Sequence, residues 1–193
     1  MIAKIKITDL GKAEEYSFRN NKDWNVWVTA VDEKDRRKVQ RMTHNFNKKL
    51  VRHFAQYFYD WSDEDSAIWS HLEEGGPQKR HVERIIDFLR PFCEDDKAHR
   101  LGVNCFAGIS RSTAIGLIAL VMSGRTIEDA LTELLKNRPE AWPNLRILKF
   151  ASEILGCNLY DHVVNWKQNC MGSLWRPPER LQPTQEDYDN KNN

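Results

Sequence analysis

A chain of 193 residues is long enough for one domain with a full hydrophobic core and too short for a second complete one. With 40% hydrophobic and 30% charged residues it has the make-up of an ordinary globular protein, which excludes the low-complexity and fibrous classes. A formal net charge of +1 gives no overall pull toward nucleic acid or a membrane surface, no apolar run reaches spanning length, and MIAKIKITDL lacks a signal-peptide core, so the cytoplasm is the expected address.

In chain order, Met1 to Thr8 alternates apolar and polar residues and predicts a half-buried strand at a sheet edge, followed by a turn at Asp9 to Gly11. Asn25 to Val31, rich in β-branched and aromatic residues, predicts a buried strand. From Lys34 to Arg52 the chain carries eight Lys or Arg, with Val39, Met42, Phe46 and Leu50 at helical spacing. That pattern predicts a weakly amphipathic helix or an irregular connection, its charge read as a solvated face in preference to a basic patch that draws anionic substrates.

Phe54 to Tyr59 predicts a strand that delivers Asp60 at its end. Asp60 to Gly76, with six acidic residues and two tryptophans, predicts a long functional loop. Val82, Ile85, Ile86 and Leu89 mark a helix that Pro91 is expected to end. Leu101 to Val103 predicts a strand, and Ser112 to Met122 a helix apolar nearly all round and therefore buried. Thr126 to Asp129 resembles a capping box opening a helix through Leu135. Ile147 to Leu155 predicts another helix, stopped by Gly156. Val163, Val164 and Trp166 predict a short last segment. The expected architecture is α/β, a central mixed sheet flanked by helices, as one domain over residues 1–170, with 171–193 a disordered tail.

Four cysteines, Cys93, Cys105, Cys157 and Cys170, lie far apart, with no CxxC pair and no spacing to histidine that suits zinc, so no metal or other cofactor is expected. They are expected as free thiols, three of them packing residues. Cys105 differs in its surroundings: six residues before Arg111, between a strand and a buried helix. Phe106, Ala107, Gly108, Ile109 and Ser110 offer successive N–H donors able to converge on an oxyanion, and the helix N-terminus adds its positive end. Gly108 gives the loop freedom to turn, and the Arg111 fork suits two phosphoryl oxygens. The thiolate is the attacking species, and Ser112 is placed to donate its hydroxyl toward the sulfur.

The string CFAGISRST resembles the active-site signature of the cysteine-dependent protein tyrosine and dual-specificity phosphatases, in particular small microbial tyrosine-phosphatase-like proteins with an AGISRST loop. The resemblance runs from about Phe58 to Gly156 and includes the segment Arg138 to Asn144. It implies hydrolysis of phosphotyrosine, with phosphoserine or phosphothreonine as a second class, in a phosphorylated protein through a phosphocysteine intermediate, without a metal. It also implies an aspartate that protonates the leaving oxygen and then activates water. Asp60 matches the place for it; Asp63, in a Trp-Ser-Asp that echoes the family's Trp-Pro-Asp, and Asp65 are the rivals.

Asn104 departs from the family, which has histidine before the cysteine; an uncharged neighbour implies lower activity at acidic pH. Apart from Arg111 the loop is uncharged, which favours a phosphoprotein over a highly anionic lipid headgroup. Asn144 is open to two roles, bracing the loop or capping the next helix, as Trp61 and Trp69 are open to flanking a substrate ring or pinning their loop. The alternatives to a hydrolase of this kind are a catalytically weak phosphoprotein-binding module and an arsenate reductase or sulfur transferase.

Overall fold

A computed structural model describes residues 1–19, 23–61 and 75–171. Four strands, β1 (Ile2–Thr8), β2 (Val26–Val31), β3 (Arg52–Tyr57) and β4 (His99–Asn104), form a sheet in the order β1-β4-β2-β3. The expected α/β architecture stands, but every strand pair is parallel rather than mixed, with Val28 opposite Val103 and Ile7 opposite Val103 on the other side. Parallel neighbours need crossover connections, and helices supply them. The crossovers are α1 (Leu10–Phe18), α2 (Arg36–Lys48) and α3 (Lys79–Glu94), and α4 (Arg111–Met122), α5 (Ile127–Asn137), α6 (Leu145–Leu155) and α7 (Leu159–Met171) follow β4.

The period of two along each strand sends residues to two cores. Val26, Val28, Ala30, Leu101 and Val103 meet the face covered by α3 to α7, where α4 is buried from Arg111 to Leu120. Trp27 and Val31 meet α1 and α2 through Leu10, Ala13, Val39, Met42 and Phe46. Trp27 fills that second core: it stacks on Phe46 at 5.0 Å and meets Trp24 edge-on at 6.3 Å. Such aromatic pairs contribute about 0.5–1.5 kcal/mol each beyond their buried area. Room for the indole comes from Gly102, where a Cβ would overlap its six-membered ring.

Three expectations about where elements begin and end are corrected. Asp9 does not open a turn; it caps α1, accepting the Lys12 N–H at 2.8 Å. The helix went unread because only Leu10, Ala13 and Ser17 of it are buried, too sparse and too small to print an apolar stripe. Pro91 does not end α3, which runs on to Glu94; a single lost N–H near the last turn is tolerated while Leu89 and Cys93 on either side are buried. The last segment is not short, since α7 spans thirteen residues with Leu159, Val163 and Lys167 fully buried.

Leu50 leaves the α2 stripe too: it follows the helix end at φ 60° and is 88% exposed. Three basic residues of α2 are ion-paired on its outer face, Lys38 and Arg41 to Glu14 and Arg36 to Glu33. All four cysteines are free; Cys93 is buried and its thiol pushed up by burial, whereas Cys170 is exposed and so is no packing residue. The expected tail, and most of the expected loop after Asp60, lie outside the described residues.

Candidate active site

Ligands of parallel α/β sheets bind in the crevice at the carboxyl ends of the strands. Here each strand is followed at that end by a chemically active residue: Asp9 after β1, Asp32 after β2, Asp60 beyond β3, and Cys105 after β4. From Cys105 the chain bends at every residue from Phe106 to Ser110 before entering α4. The loop is tethered from outside by its carbonyls. Phe106 O accepts from Leu10 N at 3.1 Å, Ala107 O from Arg138 Nη2 at 3.1 Å, Ile109 O from Trp142 N at 2.9 Å and Ser110 O from Asn144 N at 3.3 Å.

A trans peptide sets each N–H opposite the preceding C=O. The amides of Ala107, Gly108, Ser110 and Arg111 therefore face away from those tethers. Gly108 N–H reaches Cys105 Sγ at 3.2 Å, and the Ser112 hydroxyl lies 3.2 Å from the same sulfur. The sulfur is thus held in place by one backbone N–H and one hydroxyl contact. Gly108 is required for this curl: it holds φ +76°, and a Cβ there would stand 2.7 Å from the Thr8 carbonyl carbon and 2.8 Å from Asp9 N.

Arg111, at the first turn of α4, is 2% exposed and held by one nitrogen. Nη1 donates to Asp32 Oδ1 at 2.8 Å and to Phe58 O at 2.6 Å. Nε stands 3.4 Å from Asp60 Oδ2, an ion pair without hydrogen-bond geometry, so Nε is a buried donor with no hydrogen bond among the described residues. A guanidinium anchored this way at one corner presents a fixed edge to an incoming oxyanion.

Asp60 is pinned over the loop. Its Oδ1 accepts from the Ser110 hydroxyl at 2.6 Å and from Asn144 Nδ2 at 3.0 Å, and Asn144 Nδ2 also donates to Trp61 O at 3.0 Å. Asn144 Oδ1 meanwhile accepts the Ile147 N–H at 3.1 Å as the cap of α6. The side chain thus fills the capping role, and what it braces is the Asp60 segment; only the Asn144 backbone N–H reaches the Cys105 loop, at Ser110 O. Asp63, Asp65 and Trp69 lie outside the described residues. Around the mouth, Phe106 is 58% and Tyr59 47% exposed, Tyr59 lies 5.9 Å from Trp61, and Lys34 Nζ stands 5.8 Å from the Phe106 ring.

The structure thus gathers Cys105, the loop residues, Arg111, Ser112 and Asp60 at one end of the sheet. Sequence reasoning missed Asp32, although its place just past a strand is the same signal that singled out Asp60. It also missed His53 on β3, whose imidazole joins a buried chain to Asn104 through Thr29. Burial pushes that imidazole down to about 4. Among the described residues no group of three or more His, Cys, Asp or Glu is placed to hold a metal ion.

No protein-family model matches the sequence, and no curated protein does. Solved structures of similar fold include a mutant form of Tk-PTP, with a TM-score of 0.52 at 15% identity over 86% of this chain and 95% of that one. PTPMT1 gives a TM-score of 0.52 at 13% identity over 86% of this chain and 95% of its own. PTPMT1 in complex with PI(5)P gives 0.52 at 14% identity over 85% and 94%. Four parallel strands between two helical layers, with the Cys105 loop at their carboxyl ends, make this chain an α/β protein of the fold seen in the PTP-like phosphatases.

Proposed function

We propose that the chain is a cysteine-dependent phosphomonoester hydrolase working through a phosphocysteine intermediate. The observation that carries this is the buried Cys105 Sγ within a curled loop, taking the Gly108 N–H and facing the Ser112 hydroxyl, with the Arg111 guanidinium at the end of that loop fixed by Asp32 and Phe58 O. In the first step the thiolate attacks phosphorus, an S–P bond forms, and the P–O bond to the leaving group breaks as Asp60 gives that oxygen a proton. The loop amides and Arg111 stabilise the charge on the non-bridging oxygens. In the second, Asp60 takes a proton from water as the water oxygen attacks phosphorus. The S–P bond breaks, inorganic phosphate leaves, and Ser112 steadies the departing thiolate.

The substrate class we assign is a phosphorylated protein, with phosphotyrosine first and phosphoserine or phosphothreonine second. Aromatic rings at the mouth and an uncharged loop apart from Arg111 support it. PI(5)P, bound by PTPMT1, defines the competing class. Residues 1–170 act as the single catalytic domain in this reading, and the cytoplasm is its address; no described helix is long and apolar enough to cross a membrane.

A phosphoprotein-binding module is the second reading, and one observation favours it. Both oxygens of Asp60 are engaged, by Ser110, Asn144 and Arg111, so Asp60 must leave those partners to reach a leaving group. Hydrolysis of p-nitrophenyl phosphate separates the two. Turnover that vanishes in Cys105→Ser supports the hydrolase; binding of a phosphotyrosine peptide by wild type without turnover supports the module. Parallel assays on phosphotyrosine and phosphoserine peptides and on PI(5)P then rank the substrate classes.

A further inference from the structure

We propose that His53 is a positioning residue for Cys105, acting through Thr29 and Asn104; this rests on Cys105 being the reactive thiol. Between His53 Nε2 and Asn104 the direction of each hydrogen bond is fixed by counting protons. Asn104 Oδ1 lies 2.8 Å from Trp27 Nε1 and 2.7 Å from Thr29 Oγ1. An indole N–H only donates, so the carboxamide must present its oxygen there and cannot be flipped. Thr29 has one hydroxyl proton and spends it on that oxygen. Its 2.9 Å contact with His53 Nε2 is then one in which Thr29 accepts, and the imidazole carries its proton on Nε2.

The other ring nitrogen is provided for as well. Nδ1 lies 2.9 Å from Thr43 Oγ1, which lies 2.9 Å from Val39 O in turn. With the neutral imidazole that burial favours, Nδ1 carries no proton, and the one Thr43 hydroxyl proton is shared between Nδ1 and Val39 O. Phe46 closes the site with its ring 5.1 Å away, edge to face. Burial alone shifts this imidazole, and no charged neighbour on β2, β3 or α2 contributes.

The sequence of donations His53 to Thr29 to Asn104 runs across β3, β2 and β4 and ends one residue before the nucleophile. Bonds in such a chain polarise one another, so the Nε2 proton strengthens the grip on Asn104. The Asn104 backbone is continuous with Cys105, whose sulfur depends on a 3.2 Å contact with Gly108 N–H. A shift of a few tenths of an ångström at the end of β4 weakens that contact and misplaces the sulfur for attack.

The test compares wild type with His53→Ala, His53→Gln and Thr29→Val. It reads the rate of Cys105 alkylation by iodoacetamide against pH, located by mass spectrometry, together with kcat and KM on p-nitrophenyl phosphate and Tm. Loss of the donor in His53→Ala is expected to slow Cys105 alkylation at neutral pH and to cut kcat about tenfold, with KM within about twofold. His53→Gln, whose amide can donate to Thr29 and accept from Thr43, is expected to recover most of that loss. Thr29→Val, which breaks the chain at nearly constant shape, is expected to match His53→Ala, and it carries the test if His53→Ala fails to fold.

Wild-type alkylation and kcat in Thr29→Val, or a His53→Gln no better than His53→Ala, would overturn the proposal. A wild type that alkylates at Cys105 but turns over no p-nitrophenyl phosphate would overturn the hydrolase reading instead, leaving the alkylation comparison to decide this one.

Discussion

Gly108 and Arg111 each meet a requirement that no neighbouring residue type satisfies. Alanine at 108 would bring a Cβ to within 2.8 Å of the Thr8–Asp9 peptide at a backbone angle of φ +76°. We expect Gly108→Ala to lower kcat on p-nitrophenyl phosphate by about a hundredfold or more, through misplaced loop amides. Arg111→Lys keeps the charge and loses the fork. Lysine cannot hold Asp32 and Phe58 O and still offer a second edge, so a loss of about 10²–10³ in kcat is expected, with KM raised as well. At this scale the site was partly legible in the sequence. Cys105, Arg111 and Ser112 share one loop, so their spacing fixes their meeting. Asp32, His53 and Thr29 join them only through pairings across the sheet, which spacing along the chain cannot show.

At the scale of elements, Asn144 couples the start of α6 to the Asp60 segment. Asn144→Ala removes a cap worth about 1 kcal/mol and, for a chain of this length, should lower Tm by about 2–4 °C. It also frees Asp60 and Trp61 of a shared donor. A fall in kcat larger than that stability loss explains, seen well below Tm, is the expected sign of the brace. Elements with dense apolar patterns, β2 and α4, were legible because burial on two faces or all round leaves a continuous run. By contrast α1 and α7 hid because their buried faces include Ser17 and Lys167, polar residues in apolar places.

Across the whole molecule, His53 links acidity to stability. Its imidazole is pushed down to about 4 in the fold, against an ordinary 6.5. As pH falls, the unfolded chain therefore takes up the proton first. The contribution is complete above about 6.5 and is lost as pH falls from there toward 4, up to about 3 kcal/mol. His81, lowered by burial and by Arg80 and Arg84, acts in the same direction. Urea unfolding at pH 7 and at pH 4.5 should show a larger loss of stability for wild type than for His53→Gln, which has no proton to gain. An equal loss in both would place the acid sensitivity in the carboxylates instead.

The pairing of β1 with β4 has a consequence for how the protein is made. Ile2 lies opposite His99, and the backbone just past β1 buttresses the loop through Leu10 N–H and the close approach of Gly108 to Thr8 and Asp9. β1 leaves the ribosome before β4 and waits, its β4 edge unpaired, until β4 has been synthesised. Contacts this distant in sequence slow folding, because the loop between them must close before it is rewarded. The thiol loop then forms only on a nearly complete sheet. Nascent chains halted before β4 should expose β1 to proteases or chaperones, and no part-built chain would carry a reactive Cys105.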